Sequence, residues 1–184
     1  MKKTALVLID IQNEYFHGGS LELVGAEAAA ERSRLALDAA REAGLCVIHV
    51  RHENPGPNAT RFRAGSPLSE IRGIVAPTAV ELVVTKRRVD SFAGTELGPY
   101  LRERGIEELA VSGMMTHMCV DAFLRAATAQ DYPCALLSDA TATRELEWGG
   151  RKVAAADVKA ALYAAFAFFG TRLVEADDWA ASLR

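Results

Sequence analysis

The sequence predicts an α/β protein, a three-layer α/β/α arrangement with a six-stranded parallel sheet in the middle. Three observations carry that expectation. Six short apolar runs recur along the 184 residues, and each but the last is followed by a longer stretch that can include a helix. The runs are apolar almost throughout instead of alternating with polar residues, as strands buried on both faces must be. Strand alternating with helix calls for parallel pairing with helices on both sides of the sheet.

The first run, TALVLIDI (4–11), is short and rich in branched residues, and reads as a buried strand. Residues 26–43 are rich in Ala with interspersed Glu and Arg and stop at Gly44, a helix that ends on a glycine. The further strands are CVIHVRH (46–52), ELVVTK (81–86), ELAVSGM (108–114), CALLSDA (134–140) and TRLVEA (171–176). Helices are expected over 95–104, 118–130 and 153–169, with a short one over 177–183. Two segments break the rhythm. Residues 53–80 carry Pro55, Gly56, Pro57, Gly65, Pro67, Gly73 and Pro77, and a connection that long is usually a functional loop. Residues 141–152 follow a strand end and carry Trp148. With no repeat or linker, residues 1–184 are expected to form a single domain.

Composition narrows the function classes. Hydrophobic residues make up 50% and charged residues 24%, ordinary values for a folded domain, so fibrous and disordered readings fall away. The formal charge of −3 offers no basic excess for a phosphate backbone, so no nucleic-acid partner is expected. Three cysteines make no disulfide framework and point to reduced thiols. The opening apolar run stops at Asp10, too short for a signal-peptide core or a membrane span, and Asp157 and Lys159 interrupt the Ala-rich stretch. The expectation is a cytoplasmic protein with no membrane partner.

An open parallel sheet places its ligand at the carboxyl ends of its strands. Asp10 ends the first strand, His52 the second and Lys86 the third, and Cys119 follows the fourth. Cys119 lies where a strand gives way to a helix. There the macrodipole and free N–H groups favour the thiolate and can receive an oxyanion. From position alone it is either a nucleophile or a small apolar filler, as Cys46 and Cys134 read. Asp10, between Ile9 and Ile11, suits a group that takes and returns a proton, or it caps a helix or pairs with a cation. Lys86 is equally readable as a solvated strand end. No Gly-x-Gly-x-x-Gly, Gly-Lys-Ser/Thr, Cys-x-x-Cys or Gly-x-Ser-x-Gly pattern supports nucleotide, redox or serine-hydrolase chemistry.

ALVLIDIQNEYF (5–16), KRRVDSFAGTEL (86–97), GMMTHMCV (113–120) and LLSDATATRELEWGG (136–150) together resemble the cysteine-hydrolase family of nicotinamidases, N-carbamoylsarcosine amidases and isochorismatases. Gly113, Thr116, Cys119 and Val120 are the most specific part of the likeness. The resemblance implies strand order 3-2-1-4-5-6 and a triad of Asp10, Lys86 and Cys119. It also implies a cis Met114–Met115 peptide, with the backbone N–H groups of Met115 and Cys119 as the oxyanion hole. Lys86 would have to reach back across two strand spacings of ~4.8 Å each.

The sequence departs from the metal-dependent nicotinamidases. Their Asp-x-His is Val50-Arg51-His52 here, and no further histidine occurs before His117, so no metal and no cofactor is expected. His117 stands where many family members have Asp. Relatives that hydrolyse a vinyl ether lack the cysteine, so Cys119 favours a small amide, carbamoyl or ureido substrate. Gln12, Phe16, Phe92 and Trp148 are candidate substrate-binding residues on loops past strand ends, with Tyr15 and Phe62 beside them. Arg51, Arg61, Arg63 and Arg72 either meet an anionic substrate or are solvated loop charges. Family resemblance also implies a homo-oligomer, for which the Ala-rich helix could supply apolar surface. The competing functions are a catalytically silent binder of a metabolite or protein, and an isochorismatase-like ether hydrolase.

Overall fold

A computed structural model describes residues 2–184. The strands are β1 (Thr4–Ile9), β2 (Cys46–His52), β3 (Leu82–Lys86), β4 (Glu108–Met114), β5 (Cys134–Ala142), β6 (Leu146–Trp148), β7 (Arg151–Val153) and β8 (Arg172–Val174). The helices are α1 (Ala26–Glu42), α2 (Leu97–Glu103), α3 (Asp121–Thr128), α4 (Ala155–Phe168) and α5 (Ala176–Ala181). Six strands form one sheet in the order β3-β2-β1-β4-β5-β8, and every pairing in it is parallel. This is the expected order. The sixth sheet strand is β8 because an antiparallel hairpin, β6–β7, occupies the segment whose rhythm was broken.

The strand sequences follow from their two covered faces. In β1, Leu6 and Leu8 pack on the side of α1 and α5, while Ala5, Val7 and Ile9 pack on the side of α2, α3 and α4. Each face takes alternate residues, so every residue of the strand has to be apolar. Ala29, Ala30, Ala36 and Ala40 turn α1 toward the sheet, and their small side chains let the helix backbone lie close to it. Helix α4 is covered less fully: Val158 and Phe166 are buried, whereas Phe168 is 93% exposed. Among the described residues no helix is long and apolar enough to cross a membrane.

Two local features shape the carboxyl edge of the sheet. Gly113 in β4 pairs with Ile9 at φ 135°, and a Cβ there would collide with the Ile9 carbonyl oxygen, so only glycine allows these two strand ends to meet. β5 then shifts register between Val111 and Gly113, whose partners are Leu136 and Thr141, and the intervening residues form a bulge in which Leu137 and Ala140 stay buried.

One polar cluster ties α1 to β2 and to the start of β3. Glu81 accepts Arg41 Nε at 2.8 Å and Nη2 at 2.9 Å, takes the Thr78 N–H at 2.8 Å, and meets His49 Nε2 at 3.0 Å. The Arg41 guanidinium is the main reason that the Glu81 carboxyl is pulled down to about 2. Its folded pKa lies below the unfolded value, so the stabilisation is complete above about pH 4.5 and is lost as pH falls toward 2. The linkage is worth on the order of 3 kcal/mol. Glu81→Gln should therefore flatten the acid limb of stability. Denaturant midpoints at pH 6 and pH 3 should differ clearly in the wild type and less in the variant; equal differences would remove Glu81 from the acid response.

Candidate active site

Asp10, Lys86 and Cys119 come from three strand ends and meet in one buried cluster. Asp10 follows β1 with φ 50°, a left-handed conformation that turns the chain out of the sheet, and its N–H donates to the Val50 carbonyl at 2.9 Å. Strand β2 lies between Asp10 and Lys86, and the register shows how the gap is closed. Ile9, Val50 and Val84 lie level, so Lys86 leaves the sheet beyond the level of Asp10 and sends its side chain back over β2. Its ammonium lies 2.8 Å from Asp10 Oδ2 and 3.1 Å from Cys119 Sγ, and it also donates to the carbonyls of Arg88 at 3.2 Å and Val89 at 3.1 Å. The contact with Asp10 is an ion pair off the hydrogen-bond direction, and neither Asp10 oxygen has a hydrogen-bond partner. Oδ2 is held by the ammonium, which leaves Oδ1 as the oxygen open to an incoming proton.

Cys119 sits in a five-residue π-helical turn, Thr116–Val120, immediately before α3. The Met114–Met115 peptide that leads into it is cis. Two side chains fasten the turn to the end of β5 and beyond. Thr116 Oγ1 bonds Thr141 Oγ1 and the Ala142 carbonyl, both at 3.0 Å, and His117 Nδ1 meets Thr143 Oγ1 at 2.5 Å. The thiol is held in place by backbone geometry and by a neighbouring strand, not by a loop free to move.

Electrostatics set the resting protonation state. Burial pushes the Cys119 thiol well up, and the facing Asp10 carboxylate adds to the effect; Lys86 opposes it without reversing it. This corrects the expectation that the helix start would favour the thiolate. The side chain is only 5% exposed, and desolvation of the anion outweighs the dipole. Burial, the largest single influence, would lower the Lys86 ammonium, but Asp10 and Cys119 together outweigh it and hold Lys86 above the ordinary lysine range. The resting site thus sets an ammonium and a neutral thiol beside Asp10, an arrangement in which a thiol proton has an acceptor within reach.

Aromatic side chains surround the cluster. Tyr15 is buried, and after burial the Asp10 charge raises its phenol furthest, so it remains neutral beside the triad. Phe62 packs on Tyr15 and on His52, with ring centroids 5.2 and 5.3 Å apart. Phe92 stacks on Phe123 at 5.3 Å, against the apolar cluster that includes Cys119. Burial and then the Lys86 charge lower His52, whose Nε2 lies 3.2 Å from Asn54 Oδ1. Among the described residues no group of three or more His, Cys, Asp and Glu side chains is arranged to hold a metal ion.

Three of the expected substrate contacts do other work. The Gln12 amide is spent on backbone: Nε2 donates to the carbonyls of His52 at 2.9 Å and Ser69 at 2.6 Å, and Oε1 accepts the His52 N–H at 2.8 Å. It binds the 53–80 loop to the sheet edge instead of a ligand. Phe16 is fully buried, with the Arg72 guanidinium 4.6 Å over its ring. Trp148 is 90% exposed at the tip of the hairpin. Conversely, Glu14 carries no signal of its role in the sequence. It is a 2% exposed carboxylate that accepts the N–H and hydroxyl of Ser20 and the N–H of Phe62, pinning Phe62 beside Tyr15. Only the fold distinguishes it from a solvated loop glutamate.

The sequence profile of the isochorismatase domain matches residues 4–172. The chain belongs to the isochorismatase family. It is 40% identical over 162 residues to the isochorismatase family protein YddQ of Bacillus subtilis, across 88% of this chain and 90% of that one. It is 30% identical over 201 residues to the ureidoacrylate amidohydrolase RutB of Stutzerimonas stutzeri, across 91% of this chain and 78% of that one. A crystal structure from Oleispira antarctica, described as an isochorismatase hydrolase, superposes with a TM-score of 0.94 at 43% identity, covering 98% of this chain and 97% of that one. The isochorismatase-family chain is accordingly a hydrolase.

Proposed function

We propose that this hydrolase cleaves the C–N bond of a small amide, carbamoyl or ureido compound through a thioester on Cys119. The observation that carries the reading is one buried ammonium, Lys86 Nζ, in contact with both Asp10 Oδ2 and Cys119 Sγ. The name of RutB, an amidohydrolase, supports the same substrate class.

Asp10 takes the thiol proton as sulfur attacks the carbonyl carbon, forming a C–S bond and an oxyanion. The backbone N–H groups of Met115 and Cys119 receive that oxyanion. The C–N bond then breaks while Asp10 returns the proton to the departing nitrogen, leaving a thioester and a free amine or ammonia. Asp10 next takes a proton from water, the resulting hydroxide expels the thiolate, and that proton goes back to sulfur. Lys86 stabilises the thiolate during both attacks and holds Asp10 in place. None of these steps calls for a metal or an organic cofactor.

The test is amine or ammonia release from a panel of short amides, carbamoyl compounds and ureides, with the intact protein mass recorded during turnover. Product release with a transient acyl mass on the Cys119 peptide is expected. Ligands that raise the melting temperature without releasing any amine would instead establish a silent binder. Cleavage of a vinyl ether with no amine released would establish the ether hydrolase.

A further inference from the structure

The bulge in β5 sets residues 137–140 against the single residue Ser112 of β4. A bulge interrupts the ladder, so its carbonyls need donors from elsewhere. Helix α4 supplies them. Lys159 Nζ donates to the carbonyls of Thr141 at 2.9 Å and Ser138 at 3.5 Å, and Tyr163 Oη donates to that of Ser138 at 2.5 Å. The two side chains are one helical turn apart on the same face, with Lys159 Nζ 5.4 Å from the centroid of the Tyr163 ring. Half-buried, Lys159 spends its ammonium on main-chain carbonyls.

The same tyrosine reaches the nucleophile turn through two hydroxyls. Thr141 Oγ1 lies 2.6 Å from Tyr163 Oη and 3.0 Å from Thr116 Oγ1, and both threonines are buried. The Tyr163 proton is committed to Ser138, so the phenol oxygen accepts from Thr141. The Thr141 oxygen in turn accepts from Thr116, which shares its proton with the Ala142 carbonyl. Burial pushes the phenol up to about 12, which keeps the Tyr163 proton in place. Each hydroxyl thus donates toward α4, and bonds in such a chain polarise and strengthen one another. Thr116 is the first residue of the π-helical turn; Met115 precedes it and Cys119 lies within the turn.

We propose that Tyr163 is a positioning residue: through Thr141 and Thr116 it holds the turn so that the backbone N–H groups of Met115 and Cys119 converge on the oxyanion. It touches no reacting atom itself. Without the phenol oxygen Thr141 loses its acceptor and its hydroxyl is free to rotate. The side chains of the turn then keep only the Ala142 carbonyl and the His117–Thr143 contact as sure anchors. An oxyanion hole works because its donors are fixed before the charge appears, so a loosened turn costs rate without costing affinity for the ground state. The inference rests on the amidase reading for the step that it serves, while its own content is the link from α4 to the turn.

Amine release and amide hydrogen exchange, followed on the same variants, test the two parts separately. Tyr163→Phe keeps the ring and removes only the oxygen, and Thr141→Val cuts the chain at its middle. Each should lower kcat about tenfold and leave KM within about twofold, and the double variant should lose no more than either single one. Thr141→Ser, which keeps the hydroxyl, should retain most of the rate. Exchange over residues 115–120 should speed up about tenfold in Tyr163→Phe and in Thr141→Val, while exchange in α4 and β8 stays as in the wild type. An unchanged kcat, a rise in KM alone, or losses that add in the double variant would each overturn the proposal. So would a Thr141→Ser protein as slow as Thr141→Val, or exchange that quickens in α4 and not in the turn. If the wild type releases no amine from any compound, the amidase reading falls, and exchange over 115–120 still decides the link. Wild-type turnover with both exchange and kcat unaltered in the variants would leave the amidase standing and remove the link.

Discussion

Replacing Cys119 by alanine should abolish amine release, a fall of at least about 10⁴-fold, while the protein keeps its far-ultraviolet circular dichroism and a melting temperature within a few degrees of the wild type. The side chain is small and buried at the edge of an apolar cluster, so its loss leaves little void, and Lys86 keeps Asp10 and two carbonyls as partners. Residual turnover within tenfold of the wild type would end the thioester mechanism. A companion variant tests the role assigned to Asp10. In the resting protein its carboxylate helps to hold the thiol proton on sulfur, so removing that negative charge must favour the thiolate. Asp10→Asn should move the pH profile of Cys119 alkylation to lower pH and yet lose turnover, because no group remains to carry the proton to the leaving nitrogen. A profile that stays in place or moves upward would show that Asp10 does not face the thiol electrostatically.

Lys86→Met should destabilise the protein by about 3–5 kcal/mol, the largest stability effect expected of any site residue. Lys86 and Asp10 side chains are fully buried, and without the ammonium the carboxylate has no other counter-charge in contact. The Asp10→Asn/Lys86→Met double variant should regain much of that loss, since neither charge is then left unpaired. Denaturant titration of the four proteins closes the cycle. Additive losses would mean that the two side chains are not coupled in the folded state. The pair also has an alkaline signature. The Lys86 pKa is raised in the folded protein, so its stabilisation is complete below the ordinary lysine value and declines as pH rises through the higher folded value.

Much of the fold was legible because it is written in local pattern. Thr4–Ile9 has to be apolar at each position since both of its faces are covered, and the same logic identifies β2, β4 and β5. The hairpin β6–β7 was not legible. Leu146–Trp148 and Arg151–Val153 are mostly exposed three-residue strands that bury no continuous face, so they leave no periodic signal. The triad residues could be read as strand-end candidates, whereas the aromatic wall could be read only in part. Phe16 and Phe62 both look like pocket residues in sequence, yet Phe16 lies buried beneath Arg72 and Phe62 stands over Tyr15 and His52. Loop residues carry no periodicity, and their direction depends on anchors such as Gln12 and Glu14 whose partners lie dozens of residues away.

By itself the sequence determined the class of fold, the number of sheet strands and the positions at which Asp10, Lys86 and Cys119 leave them. Those properties follow from burial periodicity, which is local. The tertiary structure alone decided that Lys86 reaches across β2 to touch both of the others and that the thiol rests protonated. Charge acts through space, and the distances and desolvation that fix its effect come into being only when separate strand ends and loops are packed together.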